Sequence, residues 1–179
     1  MLILALIVWV SQGGSIFFSQ VRVGRMGRLF RCWKFRTMVV DAELVLADHL
    51  ANDPEARADW EASHKLRRDP RVTPFGRFLR ASSLDELPQL LNVLAGEMSL
   101  VGPRPIVPAE IARYNSNFCD YCSCRPGITG LWQVSGRNDV SYDARVAMDT
   151  QYARSRTAWL DVKIMAATIP AVLARRGSY

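Results

Sequence analysis

Residues suited to metal or thiol chemistry are few and poorly placed. The chain has 179 residues, of which two are histidine and four cysteine. Cys119, Cys122 and Cys124 crowd into Phe118-Cys-Asp-Tyr-Cys-Ser-Cys124, and Cys32 stands far upstream. A structural zinc site needs four ligands, usually in paired knuckles, and no second knuckle exists here. His49 and His64 do not stand at ligand spacing from the cluster. These cysteines read as reduced thiols, which suits a reducing cytosolic face better than secretion. Repeats and low-complexity tracts are absent, which excludes a solenoid. Acids are outnumbered: 23 Lys and Arg against 17 Asp and Glu give a formal charge of +6. That excess favours anionic partners, whether nucleic acid, nucleotide or an anionic membrane face. With 49% hydrophobic residues the chain is no disordered basic tail, and its length suffices for one domain with a sizeable core.

A long hydrophobic run is also missing. Met1 to Val10 is uncharged and apolar, then Ser-Gln-Gly-Gly follows. As a helix this run covers roughly 15 Å, half of a bilayer core that takes about 20 residues to cross. No basic region precedes it and no small-residue cleavage site follows, so it does not read as a signal peptide. A buried core helix explains it. So does a segment dipping into one leaflet with Trp9 at the interface.

Further along, residues 15–23 and 29–35 are rich in Phe, Val and Ile, and read as two strands of a hairpin turning at Gly24-Arg-Met-Gly27. Lys34 and Arg36 alternate at its end and share one face if the strand continues. Residues 39–66 read as a charged surface helix pair broken at Asn52-Asp53-Pro54. Thr73 and Pro74 are an N-cap and a first helical position for a basic, aromatic helix over 75–81. Residues 86–94 carry an apolar stripe of Leu87, Leu90, Leu91 and Leu94, ended by Gly96. A short helix over 108–114, an irregular loop over 125–138, and helices over 142–153 and 159–173 complete the chain. The fold class is α+β: one mostly helical domain with a small β-hairpin.

The chemistry concentrates at Ser83-Leu-Asp-Glu-Leu-Pro-Gln-Leu90. Two adjacent carboxylates stand among Arg71, Arg77, Arg80 and Arg104. Fixed anions among fixed guanidiniums suit reactions on a phosphate ester: the carboxylate acts as nucleophile or metal ligand, and the arginines hold phosphates. Capping explains the same residues. Ser83-x-x-Glu86 is a capping box, and with Asp85 as N-cap, Pro88 falls in the tolerated first turn. A non-enzymatic basic module binding nucleic acid through helices over 75–94 also fits the charge. Against it, the arginines gather around loops and acids rather than along one helix.

Several motifs occur in one order: Gln20-Val-Arg-Val-Gly24, Lys34-Phe-Arg-Thr-Met38, Ser83 to Pro88, Met98-Ser-Leu-Val-Gly-Pro-Arg-Pro105, Arg125-Pro-Gly-Ile-Thr-Gly130 and Gly136-Arg-Asn138. In this set the chain resembles the bacterial sugar transferases, monotopic polyprenyl-phosphate phosphoglycosyl transferases, over nearly its whole length. Asn52-Asp-Pro-Glu-Ala-Arg57, Gly136 to Val140 and Arg176-Gly-Ser-Tyr179 resemble the undecaprenyl-phosphate galactose phosphotransferase branch. The resemblance implies transfer of a hexose-1-phosphate from a UDP-sugar to undecaprenyl phosphate. UMP is released with Mg2+ as cofactor, at the start of O-antigen, capsule or exopolysaccharide synthesis. It implies Asp85 as nucleophile and metal ligand and Glu86 as its catalytic neighbour. Lys34, Arg36, Arg104, Arg125 and Arg137 become substrate and phosphate contacts. It further implies a monotopic protein on the cytoplasmic face of the inner membrane, with membrane lipid but no nucleic acid as partner, and a homodimer as candidate assembly. Residues 1–14 correspond to the second half of a re-entrant membrane helix, and 15–179 to the transferase domain. The family's segment is longer, so a truncated, inactive membrane-associated paralogue is the alternative.

Overall fold

A computed structural model describes residues 1–63, 66, 68–136 and 140–173. The chain is mostly helical, as expected of this α+β sequence, with two small two-stranded sheets among the described residues. It divides into two compact units. One joins Met1–Ile16 with Phe35–Asp85; the other joins Phe17–Lys34 with the described residues from Glu86 on.

The first unit holds α1 (Leu2–Gln12), α2 (Ala42–Asn52), α3 (Pro54–Ser63) and α4 (Pro74–Ala81). In α1, Val8 is buried, while Leu2, Ile3, Leu6, Trp9 and Val10 are exposed. Among the described residues no helix is long and apolar enough to cross a membrane. Between α2 and α3 the expected break falls at Asp53, whose carboxylate accepts from the Ala56 N–H at 2.9 Å. The start of α4 is as the sequence predicts: Thr73 Oγ1 accepts from the Gly76 N–H at 2.9 Å, with Pro74 in the first turn. An antiparallel bridge, Met38 to Val72, ties the segment after the hairpin to the entry of α4.

In the second unit β1 (Phe17–Val23) pairs with β2 (Leu29–Phe35). The hairpin is where the sequence places it, though β2 ends at Phe35, so the alternation stops before Arg36. A second sheet has no counterpart in the sequence reading. There β3 (Ser99–Val101) pairs in parallel with β4 (Gly127–Thr129), in register Ser99 to Gly127 and Val101 to Thr129. The segment expected as an irregular loop over 125–138 thus contains a strand and a short helix, α8 (Leu131–Ser135).

The helices of this unit are α5 (Gln89–Leu94), α6 (Ile111–Tyr114), α7 (Phe118–Ser123), α8, α9 (Tyr142–Ser155) and α10 (Ala158–Leu173). One core gathers Val23, Ile106, Tyr114, Tyr121 and Val146; another gathers Val101, Cys124, Tyr152 and Ile164. The Tyr121 hydroxyl donates to the Val23 carbonyl at 2.7 Å and accepts from the Ile106 N–H at 3.2 Å, joining β1 to the chain after β3. All four cysteines are free.

Two expectations about α5 are corrected. Asp85 is not its N-cap: a 3-10 turn spans Leu84–Glu86, and the helix starts at Gln89 behind Pro88. Nor is the leucine stripe its buried face. Leu94 is 85% and Leu91 48% exposed, whereas Gln89 and Asn92 are buried. The reason is hydrogen bonding. Asn92 Nδ2 donates to the Arg31 carbonyl at 2.8 Å and to Glu97 Oε2 at 2.6 Å, and its Oδ1 accepts from the Trp33 N–H at 3.1 Å. Buried strand-edge groups need such partners more than six helical residues need a leucine seam.

Removing them is costly. Asn92→Ala is expected to lose about 1–3 kcal/mol of stability, and Leu94→Ala to stay within about 0.5 kcal/mol of the parent. Chemical unfolding in detergent micelles, followed by tryptophan fluorescence, checks both; the reverse ranking would restore the leucine stripe as the core face.

Candidate active site

The two units each end on one member of the acidic pair. Asp85 closes the first unit and Glu86 opens the second, as consecutive residues of one 3-10 turn. Ser83, just before it, has φ 57. A left-handed residue that is not glycine marks a sharp, strained change of direction after α4.

Asp85 is buried at 8% exposure. Its cationic neighbour is Arg80, on the last turn of α4. Burial lowers the Arg80 pKa, while Asp85 and then Asp69 act to raise it. Arg80 Nε donates to Thr37 Oγ1 at 2.9 Å, which fixes the direction of the guanidinium. Asp69 in turn is clasped by Arg71 through contacts of 2.7 to 3.1 Å, and Arg71 lies over the Trp60 ring. Burial works against ionisation of Asp69, and the hydrogen bonds from Arg71 overcome it.

Glu86 has a different set of neighbours. Lys34 Nζ, from the end of β2, sits 2.6 Å from Glu86 Oε1. The alternation of β2 explains this: Phe30 and Cys32 point into a core with Met98, and Lys34 follows on the same face. Burial alone would raise the Glu86 pKa. Lys34, Arg104 and Arg22 outweigh it and hold the carboxyl below the usual carboxylate range. Burial pushes the neighbouring Cys32 thiol up, against the pull of Lys34 and Arg22, so it is not a thiolate.

Arg104 is exposed, on the loop that follows β3, with its guanidinium 5.8 Å from the centre of the buried Trp132 ring. Arg145 lies 4.7 Å from the same ring. The loop is seated by close backbone contact. Gly102 N–H donates to the Thr129 carbonyl at 2.9 Å, and Gly127 N–H to the Pro103 carbonyl at 2.8 Å. A Cβ on Gly102 would lie 2.4 Å from the Arg125 carbonyl, and one on Gly127 2.1 Å from the Gly102 nitrogen. Only glycine fits at either position. The two glycine-containing motifs of the sequence are therefore the two sides of one strand contact.

Of the residues singled out by sequence, the second unit brings together Lys34, Glu86 and Arg104. Arg36 belongs to the first unit and donates to the Gly13 carbonyl. Arg125 is exposed, and its carbonyl presses on Gly102. Arg137 lies outside the described residues, as do Asn138, Asp139 and the C-terminal Arg176 to Tyr179. Sequence reasoning missed Arg22 as a site residue, although it sits inside Gln20 to Gly24. Its guanidinium donates to the Pro105 carbonyl at 3.0 Å and to Gln20 Oε1 at 2.6 Å. Burial, and next the charge of Arg104, lower its pKa.

A depressed carboxyl pKa stabilises the folded chain above the unfolded value, and that stability is lost as pH falls through the folded value. In Lys34→Met, Glu86 loses its nearest cation and its folded pKa rises. The acid limb of the stability–pH curve is expected to move to higher pH than in the parent. Thermal melts between about pH 3 and 7 check this, and superimposable curves would remove Lys34 as the group that holds Glu86 ionised.

The chain is similar to several known proteins. It is 55% identical over 168 residues to the undecaprenyl-phosphate galactose phosphotransferase of Salmonella typhimurium, covering 94% of this chain and 35% of that one. It is 53% identical over 175 residues to the UDP-galactose-lipid carrier transferase of Erwinia amylovora, covering 97% and 37%. With the exopolysaccharide production protein ExoY of Rhizobium meliloti it shares 52% identity over 179 residues, covering 100% and 79%. The chain thus spans little more than a third of the first two relatives. Residues 1–175 match the family described as bacterial sugar transferase, and the chain belongs to that family.

Proposed function

We propose that this chain transfers a hexose-1-phosphate from a UDP-sugar to undecaprenyl phosphate with release of UMP, as the first step of O-antigen, capsule or exopolysaccharide synthesis. The observation that carries this reading is the acid–cation set. A buried Asp85 adjoins a Glu86 kept ionised by Lys34, Arg104 and Arg22, in a chain of the bacterial sugar transferase family. The names of the relatives from Salmonella and Erwinia support the donor and acceptor classes.

Asp85 Oδ attacks the sugar-bearing phosphorus of the UDP-sugar. A P–O bond forms, the bond to the UMP oxygen breaks, and UMP leaves with the electron pair. A phosphate oxygen of undecaprenyl phosphate then attacks the same phosphorus and frees the Asp85 carboxylate. Attack by an anion on an anion needs charge cancellation, and Arg104 and Arg22 provide fixed positive charge beside Glu86. A guanidinium grips phosphate at two points, which an ammonium does not.

Magnesium fits this donor set. It characteristically uses one or two carboxylates and completes its shell with substrate phosphate and water. Among the described residues no cluster of three or more acids, histidines or cysteines offers an all-protein cage. Asp85 would hold the ion, which when bound neutralises diphosphate charge. The exposed Leu2, Ile3, Leu6, Trp9 and Val10 of α1 support seating this helix in a membrane leaflet, which in this reading is the cytoplasmic leaflet of the inner membrane.

Asp85→Asn keeps size and shape but lacks the anionic nucleophile. UMP release is expected to fall by about three orders of magnitude or more, and a radiolabelled phosphosugar adduct should form on the parent without acceptor and be absent from the variant. Arg104→Lys is expected to lose about 10- to 100-fold in kcat/KM. A UMP-release assay in membranes with undecaprenyl phosphate and a panel of UDP-sugars measures all of these. Undiminished turnover in Asp85→Asn would take the nucleophile role away from this residue.

A further inference from the structure

Trp132 stands in the stretch 125–138, and the transfer steps above give it no role. Its ring is 4% exposed, and two guanidiniums lie over it. The central carbon of Arg145 is 4.7 Å from the ring centre and that of Arg104 is 5.8 Å away. Both distances are within cation–π reach. Groups so close to one point are also neighbours of each other. Arg104 is exposed and Arg145 half-buried, so both reach solvent. Each is placed by its own element. Arg104 follows β3, and the Gly102 N–H bonds the Thr129 carbonyl at 2.9 Å, just ahead of α8 and Trp132. Arg145 is in the first turn of α9, two turns before Tyr152 and on the same face. The Tyr152 hydroxyl donates to the Val101 carbonyl at 3.2 Å, and Leu131 and Val134 of α8 pack on the core that contains it. That face of α9 therefore looks toward β3 and α8. Arg145 Nε donates to the Val140 carbonyl at 3.0 Å, which directs the guanidinium.

Packing alone accounts for one arginine on a tryptophan, since such pairs are common. It accounts less well for two. The ring is neutral and attracts each cation weakly, while two guanidiniums, charged at every ordinary pH, repel one another. The indole N–H is buried as well, with no acceptor among the described residues. An unpaired buried donor is itself destabilising. Two guanidiniums and an indole N–H thus gather at one ring, and all three are donors. An anion with several oxygens complements them. A diphosphate carries two charged centres, which matches two guanidiniums better than a single phosphate does.

We propose that Arg145 is a second phosphate-binding residue, and that Arg104 and Arg145, seated on the Trp132 ring, grip the diphosphate of the UDP-sugar between them. This rests on the transferase reading above. Each guanidinium presents paired N–H groups to phosphate oxygens, so the pair can satisfy both phosphates at once. The flat ring holds the two arginine planes while no ligand is bound, which lowers the entropy lost on binding. Undecaprenyl phosphate and anionic lipid headgroups with one phosphate match this spacing less well. Arg154, on the same helix, provides a contrast. Its guanidinium is engaged by the Asp120 carboxylate at 2.8 and 3.2 Å, on the outer surface.

The test is UDP binding by calorimetry in detergent micelles, with UMP release titrated separately against UDP-sugar and undecaprenyl phosphate. Arg145→Gln is expected to weaken UDP binding and raise KM for the UDP-sugar about tenfold or more, as loss of one charge-assisted phosphate contact does. KM for undecaprenyl phosphate should stay where it is. Arg145→Lys should recover part of the affinity, because an ammonium keeps the charge and loses the fork. Arg154→Gln removes the same charge from the same helix and should leave UDP affinity and both KM values unchanged. An arginine that merely packs on Trp132 would lower the melting temperature in Arg145→Gln without moving UDP affinity, and that result overturns the proposal. So does a rise in KM for undecaprenyl phosphate alone, which would give Arg145 to the acceptor, or an equal loss in Arg154→Gln, which would reduce the effect to net charge. Should Arg145→Gln fail to fold, parental UDP affinity in Arg145→Lys overturns it equally. If the parent binds UDP, Arg145→Gln weakens that binding, and no UDP-sugar yields UMP, the transferase reading falls and the diphosphate site stands. If the parent binds no UDP, both fall.

Discussion

Two glycines, Gly102 and Gly127, let β3 and β4 touch backbone to backbone, and the position of Arg104 depends on that contact. Neither position has room for a Cβ. The parallel pairing that results is only three residues long on each side, far too short to persist alone. It survives because side chains from elsewhere brace it. Tyr152 holds the segment from α9, and Tyr121 ties the chain just beyond to β1. Each brace is a polar group buried with a partner, so each fixes one geometry where an apolar contact would tolerate several. Arg104 therefore stands on a rigid loop, which suits the aimed phosphate contact proposed for it.

Charge is the second constraint. Two like charges about 4 Å apart at an effective dielectric near 20 repel by about 4 kcal/mol, so Lys34, Arg22 and Arg104 do not gather without an anion. Glu86 is one such anion, at 2.6 Å from Lys34 and only a quarter exposed, and Glu110, 3.9 Å from Arg22, is another. The contrast with Arg154 and Asp120 is instructive. That pair is as close, at 2.8 Å, but Arg154 is two-thirds exposed. Water screens such an exposed pair, and it sets no geometry. The Glu86 set is different in kind, because its carboxyl is three-quarters buried and is held ionised by three cations.

How much of this was legible follows the range of each interaction. The cap of α4 depends on Thr73, Pro74 and the Gly76 N–H, all local, and the sequence shows it. The hairpin likewise needs neighbouring residues only. The leucines of α5 misled, because what decides its buried face is the unpaired edge of β2 some sixty residues upstream, which Asn92 satisfies. β4 was invisible for a similar reason: three residues between Pro126 and Gly130 carry no period, and the partner strand is remote. Of the candidate site, the acids, Lys34 and Arg104 stood out as motif members. Arg22 did not, since a single basic residue in a strand looks like solvated surface until its contacts with Pro105 and Gln20 are seen.

The two carboxylates of the pair, adjacent in sequence, have unlike surroundings, and this separates their chemistry. Glu86 is held at 2.6 Å by an ammonium, which draws on the lone pairs an attacking oxygen would use. Asp85 faces a cation of another kind. Arg80 is directed by Thr37 and acted on by Asp69 as well, so its charge is shared between two acids. A carboxylate steadied by a shared, fixed guanidinium keeps more of its nucleophilicity than one gripped by a lysine. The same arrangement leaves Glu86 to hold the cation set together while the phosphate is absent. These surroundings agree with the proposed division of roles, in which Asp85 supplies the attacking oxygen and Glu86 the counter-charge of the cation set.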